Sequence, residues 1–234
     1  MIDIHSHIIP NVDDGARSFE ESISILNEAK EEGFSDVILT SHFILDYNET
    51  KADELIKNKE TLQEKNNGVK LHSGMEVYID EKIEDLFKNN KLLTLAESRY
   101  LLMELPLSNS VNYLDYIIYV LQSNNIVPII AHPERYLAVQ EDYKIVEEYI
   151  EKGCLIQSNY ASILGYYGKD AQKTVKKLLK NNLINFLGSD CHRKNSIYKI
   201  IPKAIKKITK IIGKDEFYKI STLNPQKILN NEEI

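Results

Sequence analysis

Short apolar runs rich in β-branched residues alternate along the chain with longer stretches whose apolar positions recur every three or four residues. The short runs, at 2–7, 36–42, 69–77, 100–105, 127–132, 155–159 and 184–189, read as strands. The longer stretches, at 18–32, 49–65, 111–124, 142–152, 170–181 and 197–212, read as helices. The first of these opens Ser18-Phe19-Glu20-Glu21, a serine followed three residues later by glutamate, which satisfies amides that a helix start leaves open; Gly33 ends it. Strands alternating with helices predict parallel βα units. The pattern alone permits a closed barrel or an open doubly wound sheet. No linker or internal repeat divides the chain, so one α/β domain over residues 1–234 is expected. Residues 222–234 are expected to form a short helix and a frayed tail.

The strands differ from ordinary core strands in how they end. The first closes on His5-Ser6-His7, the second on Ser41-His42, the fifth on Ala131-His132 and the seventh on Ser189-Asp190-Cys191-His192. The third carries Glu76 and the fourth Glu104, the latter inside Leu102-Met103-Glu104-Leu105. Strand side chains alternate with period two, so His5 and His7 share a face, as do Asp190 and His192 if that segment is extended. Parallel α/β strands deliver their C-terminal ends to one rim. Five of the six histidines sit there; His72, in mid-strand, reads as structural. Acids in apolar strands are costly unless paired or bound to a cation. A metal centre follows. Imidazole and carboxylate without thiolate suit zinc, manganese or iron. Asp13-Asp14-Gly15 alone would be a turn, but after a His-x-His pair it offers a further oxygen ligand.

Composition narrows the chemistry. The 234 residues carry a net charge of −6, which argues against nucleic-acid binding by phosphate neutralisation but not against a small phosphorylated substrate. No apolar run reaches the roughly 20 residues of a membrane helix, and the first residues lack a secretory pattern, so a cytoplasmic protein without membrane insertion is expected. Cys154 and Cys191 read as free thiols. Six positions beyond them stand Tyr160 and Ile197, so the Cys-x5-Arg loop of cysteine phosphatases is absent. Only four arginines occur, at 17, 99, 135 and 193. Arg135, three residues beyond His132, could grip a phosphate through its planar fork; the plain alternative is an ion pair with adjacent Glu134 or another surface acid.

Taken in order, Met1-Ile2-Asp3-Ile4-His5-Ser6-His7, Val12-Asp13-Asp14-Gly15, Thr40-Ser41-His42, Gly74-Met75-Glu76-Val77-Tyr78, Ile130-Ala131-His132-Pro133-Glu134-Arg135-Tyr136 and Gly188-Ser189-Asp190-Cys191-His192 resemble the PHP (polymerase and histidinol phosphatase) superfamily over almost the whole chain. The resemblance is strongest to its bacterial protein-tyrosine phosphatases of capsule and exopolysaccharide synthesis, whose acidic choices at Asp14 and Glu104 this chain shares. It implies a distorted seven-stranded (β/α)7 barrel with three divalent metal ions, manganese first and iron or zinc as alternatives. It implies a first site of His5, His7, Glu76 and Asp190, a second of Glu76, Glu104 and His132, and a third of Asp14, His42 and His192. Arg135 matches a phosphate-binding arginine. Arg193 is the second candidate, although the loop after His192 is shorter than the family's. The implied partner is a phosphotyrosine protein, a bacterial tyrosine autokinase with a tyrosine-rich tail. Ions so placed would lower the pKa of a bridging water and neutralise phosphoryl charge. A histidinol phosphatase and a non-catalytic metal-binding regulator remain as alternatives.

Overall fold

The computed structural model describes residues 1–234 except Asn67, Asn109 and Ser110. In chain order the elements are β1 (Ile2–Asp3), α1 (Phe19–Glu31), β2 (Asp36–Phe43), α2 (Ala52–Lys65), β3 (Lys70–Tyr78), α3 (Ile83–Lys88), β4 (Tyr100–Glu104), α4 (Leu114–Ser123), β5 (Val127–Ala131), α5 (Leu137–Glu141), α6 (Ile145–Glu151), β6 (Leu155–Asn159), α7 (Lys169–Lys180), β7 (Phe186–Gly188), α8 (Ile197–Tyr218, interrupted by non-helical Gly213) and α9 (Asn224–Leu229). The seven strands pair in sequence order and every pairing is parallel. Between the open sheet and the barrel, the structure is a nearly closed barrel.

Asp3 helps close it. Its buried carboxylate accepts hydrogen bonds from the Ser189 amide (2.9 Å), the His5 amide (3.2 Å) and the Tyr198 hydroxyl (2.6 Å), tying the first strand to the seventh and to α8. Beyond Asp3 the first segment leaves the regular ladder, so the strand is shorter than its apolar run. The Ser6 amide goes to Thr40 Oγ1 (3.0 Å), and the His7 amide goes to the Cys191 carbonyl (3.0 Å).

The inner face of the sheet has two levels. Ile2, Ile4, Ile38, Tyr100, Leu102, Ile129 and Phe186 form a buried apolar cluster separate from the larger core beneath the helices. Even spacing puts His42 on the same face as Ile38, and Glu104 on the same face as Leu102. The apolar level therefore lies beneath the strand ends, and the polar side chains stand above it. Helices α3 and α5, of six and five residues, had no readable periodicity. The C-terminus is not frayed. The backbone and guanidinium of Arg99 hold Asn231, and the Tyr100 hydroxyl donates to the Glu232 carbonyl at 2.6 Å.

Tyr198→Phe leaves the buried Asp3 carboxylate without one donor. The expected cost is about 1–3 kcal/mol in the urea unfolding free energy, with the rim of strand ends intact. An unchanged midpoint would remove Asp3 from the closure.

Candidate metal centre

Nine side chains converge at the strand ends. His5, His7 and Asp190 form one group able to hold an ion; His5, Glu76 and His132 a second; His42, Glu76 and Glu104 a third; and His7, Asp14, His42 and His192 a fourth. All nine residues singled out as ligands from the sequence are among them. His5, His7, Glu76 and His132 are buried, whereas the side chain of Asp14 is 70% exposed at the mouth. The register delivers His42 beside Glu76 directly, as paired residues of β2 and β3. Asp190 and His192 do not follow the extended pattern expected of them. Asp190 has φ 54° and His132 φ 32°, so both chain segments turn into the left-handed region at the rim. The Asp190 amide is held there by the His5 carbonyl at 2.8 Å.

The arrangement of protons is the informative feature. His5 Nδ1 donates to Gln157 Oε1 at 2.9 Å; Gln157 Nε2 donates to Asn159 Oδ1 (2.9 Å), and Asn159 Nδ2 to Asp190 Oδ2 (2.7 Å). That chain of donors fixes the amide orientations and the tautomer of His5. His7 Nδ1 donates to Asp13 Oδ2 at 2.9 Å. With Nδ1 so engaged, each unprotonated ring would turn a bare Nε2 lone pair inward, and the two Nε2 atoms lie 3.1 Å apart. Glu76 Oε2 approaches them at 3.2 and 3.3 Å, and Asp190 Oδ1 at 3.6 and 3.5 Å. Among the described residues Glu76 Oε2 receives no well-aligned hydrogen bond, although His42 Nδ1 lies 3.0 Å from it. Four acceptors pointing at one buried spot repel unless a cation or a proton lies between them. The donor set fits divalent metal.

The ionisation equilibria have the same origin. Burial alone would lower the pKa of His5, but Glu76 and Asp190 raise it to about 10; for His42, against the same burial, Glu76 and Glu104 raise it to about 9. Burial opposes ionisation of Asp190, yet His5, His132 and His7 bring it down to about 2. Burial and the neighbouring Glu76 raise Glu104.

Arg135 does not pair with Glu134. Its Nη1 donates to Asp190 Oδ2 at 2.9 Å, and its guanidinium lies over the Tyr167 ring, 4.7 Å from the centroid. Glu134 is instead buried and accepts from the Asn159 amide (2.9 Å) and the Ser162 hydroxyl, fixing the loop that carries Arg135. Arg193 Nη1 is turned onto the carbonyl of His192 at 3.0 Å. His72 pairs with Asp36 at 2.9 Å, away from the centre. Both thiols are buried, and burial pushes each up to about 12, so neither is a nucleophile at neutral pH.

Three residues around the centre escaped the sequence reading, Gln157, Asn159 and Tyr167, whose hydroxyl donates to Asp190 Oδ2 at 3.2 Å; Asp13 stood in the Asp13-Asp14-Gly15 motif, but its support of His7 was not foreseen. The available signal was Gln157-Ser158-Asn159, three polar residues in a strand buried on both faces. Gly15 belongs with Asp13. A side chain there would collide with the His7 carbonyl and come within 2.7 Å of Asp13 Oδ1, closing the turn that brings Asp13 onto the His7 ring.

Comparison with known proteins gives a consistent picture. Residues 1–230 match the family model described as capsular polysaccharide synthesis, CpsB/CapC. The chain is 36% identical over 199 residues to the putative tyrosine-protein phosphatase CapC of Staphylococcus aureus, covering 82% of this chain and 77% of the relative. It is 31% identical to the tyrosine-protein phosphatase YwqE of Bacillus subtilis, covering all of this chain and 93% of the relative. A crystal structure from the pair YwqE of Bacillus subtilis and CpsB of Streptococcus pneumoniae, described as unique metal-dependent tyrosine phosphatases, superposes with a TM-score of 0.93 at 29% identity over 100% of this chain and 96% of that one.

The raised histidines carry a pH signature. A group whose folded pKa lies above its unfolded value of about 6.5 stabilises fully below pH 6.5 and loses that contribution as pH rises through the folded value. The melting temperature of chelated protein should therefore fall between pH 6.5 and 10 as His42 and His5 lose their protons. A flat or rising curve would contradict the assigned protonation.

Proposed function

The chain belongs to the CpsB/CapC family of capsular polysaccharide synthesis, and from that membership we infer that it is a metal-dependent protein-tyrosine phosphatase acting on phosphotyrosine proteins in capsule synthesis. The observation that carries the metal dependence is the pair of inward-facing Nε2 atoms of His5 and His7, 3.1 Å apart, with Glu76 and Asp190 beside them. Within that reading, three divalent ions, manganese first, would occupy the centre. His5, His7, Glu76 and Asp190 would hold the first; Glu76, Glu104 and His132 the second; Asp14, His42 and His192 the third. The whole chain, 1–234, acts as one catalytic unit. Its physiological substrate is a tyrosine autokinase with a tyrosine-rich tail, met in the cytoplasm. No helix among the described residues is long and apolar enough to cross a membrane.

Bound divalent ions supply Lewis acidity toward the phosphoryl oxygens and an activated water at neutral pH. The protein's own groups do the rest. Asp13 and Gln157 hold the His7 and His5 rings so that Nε2 faces inward, the outer support that ligating histidines ordinarily receive. Asn159, Tyr167 and Arg135 share Asp190 Oδ2 and leave Oδ1 toward the centre. The guanidinium uses one of its five N–H groups on Asp190 and keeps the others for a phosphate, where its fixed charge opposes the charge that develops during transfer. Arg193, with one N–H engaged on the His192 carbonyl, is the second candidate for the same anion. The leaving tyrosinate, with a reference pKa near 10, needs little acid assistance.

The direct test compares a phosphotyrosine peptide, p-nitrophenyl phosphate and histidinol phosphate before and after exhaustive chelation. Activity on the peptide should vanish on chelation and return with manganese, whereas full activity in protein shown metal-free by elemental analysis would end the reading. Preference for histidinol phosphate would move the substrate class.

Arg135→Ala separates phosphate binding from metal binding. The loss of a charge-assisted contact of about 2–4 kcal/mol predicts a fall in kcat/KM of about 30- to 1000-fold. Arg135→Lys should recover part of it. Asn159 and Tyr167 still hold Asp190, so metal content should stay near that of the unaltered protein. A change below threefold would place Arg135 outside the reaction.

A further inference from the structure

The charge of this protein is distributed unevenly. Helices α7 and α8 together carry eleven lysines against Asp170, Asp215 and Glu216, a net of +8, which leaves the rest of the −6 chain at −14. The two helices pack side by side. On α7 the lysines at 169, 173, 176 and 180 repeat the spacing of those at 199, 203, 206 and 210 on α8, so each helix presents one stripe. The buried positions Ala171, Val175, Leu178, Ile201, Ala204 and Ile208 occupy the opposite faces. Ten of the eleven lysines are exposed, and Lys176 is half-buried.

Self-neutralisation does not account for them. Lys173 pairs with Asp170 at 2.9 Å and Lys199 with Glu31 at 3.0 Å; the other nine have no carboxylate within ion-pair distance among the described residues. On α8 the ridge of Lys206, Lys210 and Lys214 borders an apolar groove formed by Ile205, Thr209 and Phe217. At the end of the same helix Tyr218 is 53% exposed and, just beyond, Leu223 is 46% exposed.

We propose that the outer face of α7 and α8 docks peripherally on an anionic lipid bilayer. The features fit a lipid surface better than another polyanion. None of the eleven charges is an arginine, the side chain whose flat fork suits paired recognition of individual phosphates or carboxylates; lysines offer hydrated point charges suited to a diffuse negative surface. Apolar and aromatic side chains lie among them, as interfacial helices require. Binding lysines near a negative leaflet adds up without fixed partners. Both helices also start at the catalytic rim. α7 follows Tyr167, which touches Asp190, and α8 begins five residues after His192. A docked molecule would hold its metal centre next to the membrane surface. The proposal does not depend on the chemistry at that centre.

The test is sedimentation of the full chain with vesicles of phosphatidylcholine alone and with 30 mol% phosphatidylglycerol, as ~30% anionic lipid gives a strongly negative surface. The protein should bind the anionic vesicles only, more weakly as salt rises. The triple change Lys206→Gln, Lys207→Gln and Lys210→Gln should weaken binding on the order of 100-fold, with unchanged melting temperature and unchanged turnover of p-nitrophenyl phosphate in solution. The corresponding triple change to arginine should keep binding. Absence of binding to anionic vesicles, or binding indifferent to the glutamine changes, would overturn the proposal. Capture of polyglutamate or duplex DNA by this face without vesicle binding would overturn it too, and would assign the lysines to a macromolecular anion.

Discussion

Everything at the rim depends on one electrostatic constraint. Two imidazole lone pairs and two carboxylates face one another across about 3–4 Å in a site from which water is largely excluded. In that environment like charges interact far more strongly than in water. The arrangement is tolerable only with positive charge inside it, whether protons on His5 and His42 or metal ions in their place. The same carboxylates that raise those two histidines are the ones that would attract cations. The proton affinity of the apo centre and its metal affinity are thus two expressions of one field, and loading must release protons.

Such a cluster has to be held together against its own repulsion, and the fold supplies the restraint in layers. The nearly closed sheet fixes the strand ends. Asp3 joins the first strand to the seventh and to α8, so His5 and Asp190 cannot drift apart. Around the cluster, side-chain bonds from Asp13, Gln157, Asn159 and Arg135 occupy the outward atoms of the inward-facing groups. Arg135 belongs to the same wall: its guanidinium steadies Asp190 and lies against Tyr167, and in the proposed reaction its remaining donors would meet the phosphate.

Much of this was legible in the sequence. Strands with β-branched interiors and helices with 3.6-residue spacing announce themselves, and the seven strands appear where the apolar runs stand. The histidines were readable because they interrupt apolar runs at their ends, where core packing offers no reason for them. Less was legible where backbone geometry replaces periodicity. Asp190 and His132 sit in left-handed conformations that no alternation rule foresees. Helices α3 and α5 are too short to show a period. The partner of Arg135 could not be read from its neighbour Glu134, because chain adjacency says nothing about Asp190, 55 residues away. The supporting residues Gln157 and Asn159 were visible only as unexplained polarity in a buried strand.

The central claim is that the His5–His7–Glu76–Asp190 cluster is a cation site. Element-specific anomalous diffraction from crystals of active, manganese-loaded protein tests it most directly. The account predicts strong peaks inside the cluster, one of them flanked by His5 and His7 and another beside Glu104 and His132. Active crystals with no anomalous peak among these residues would contradict it.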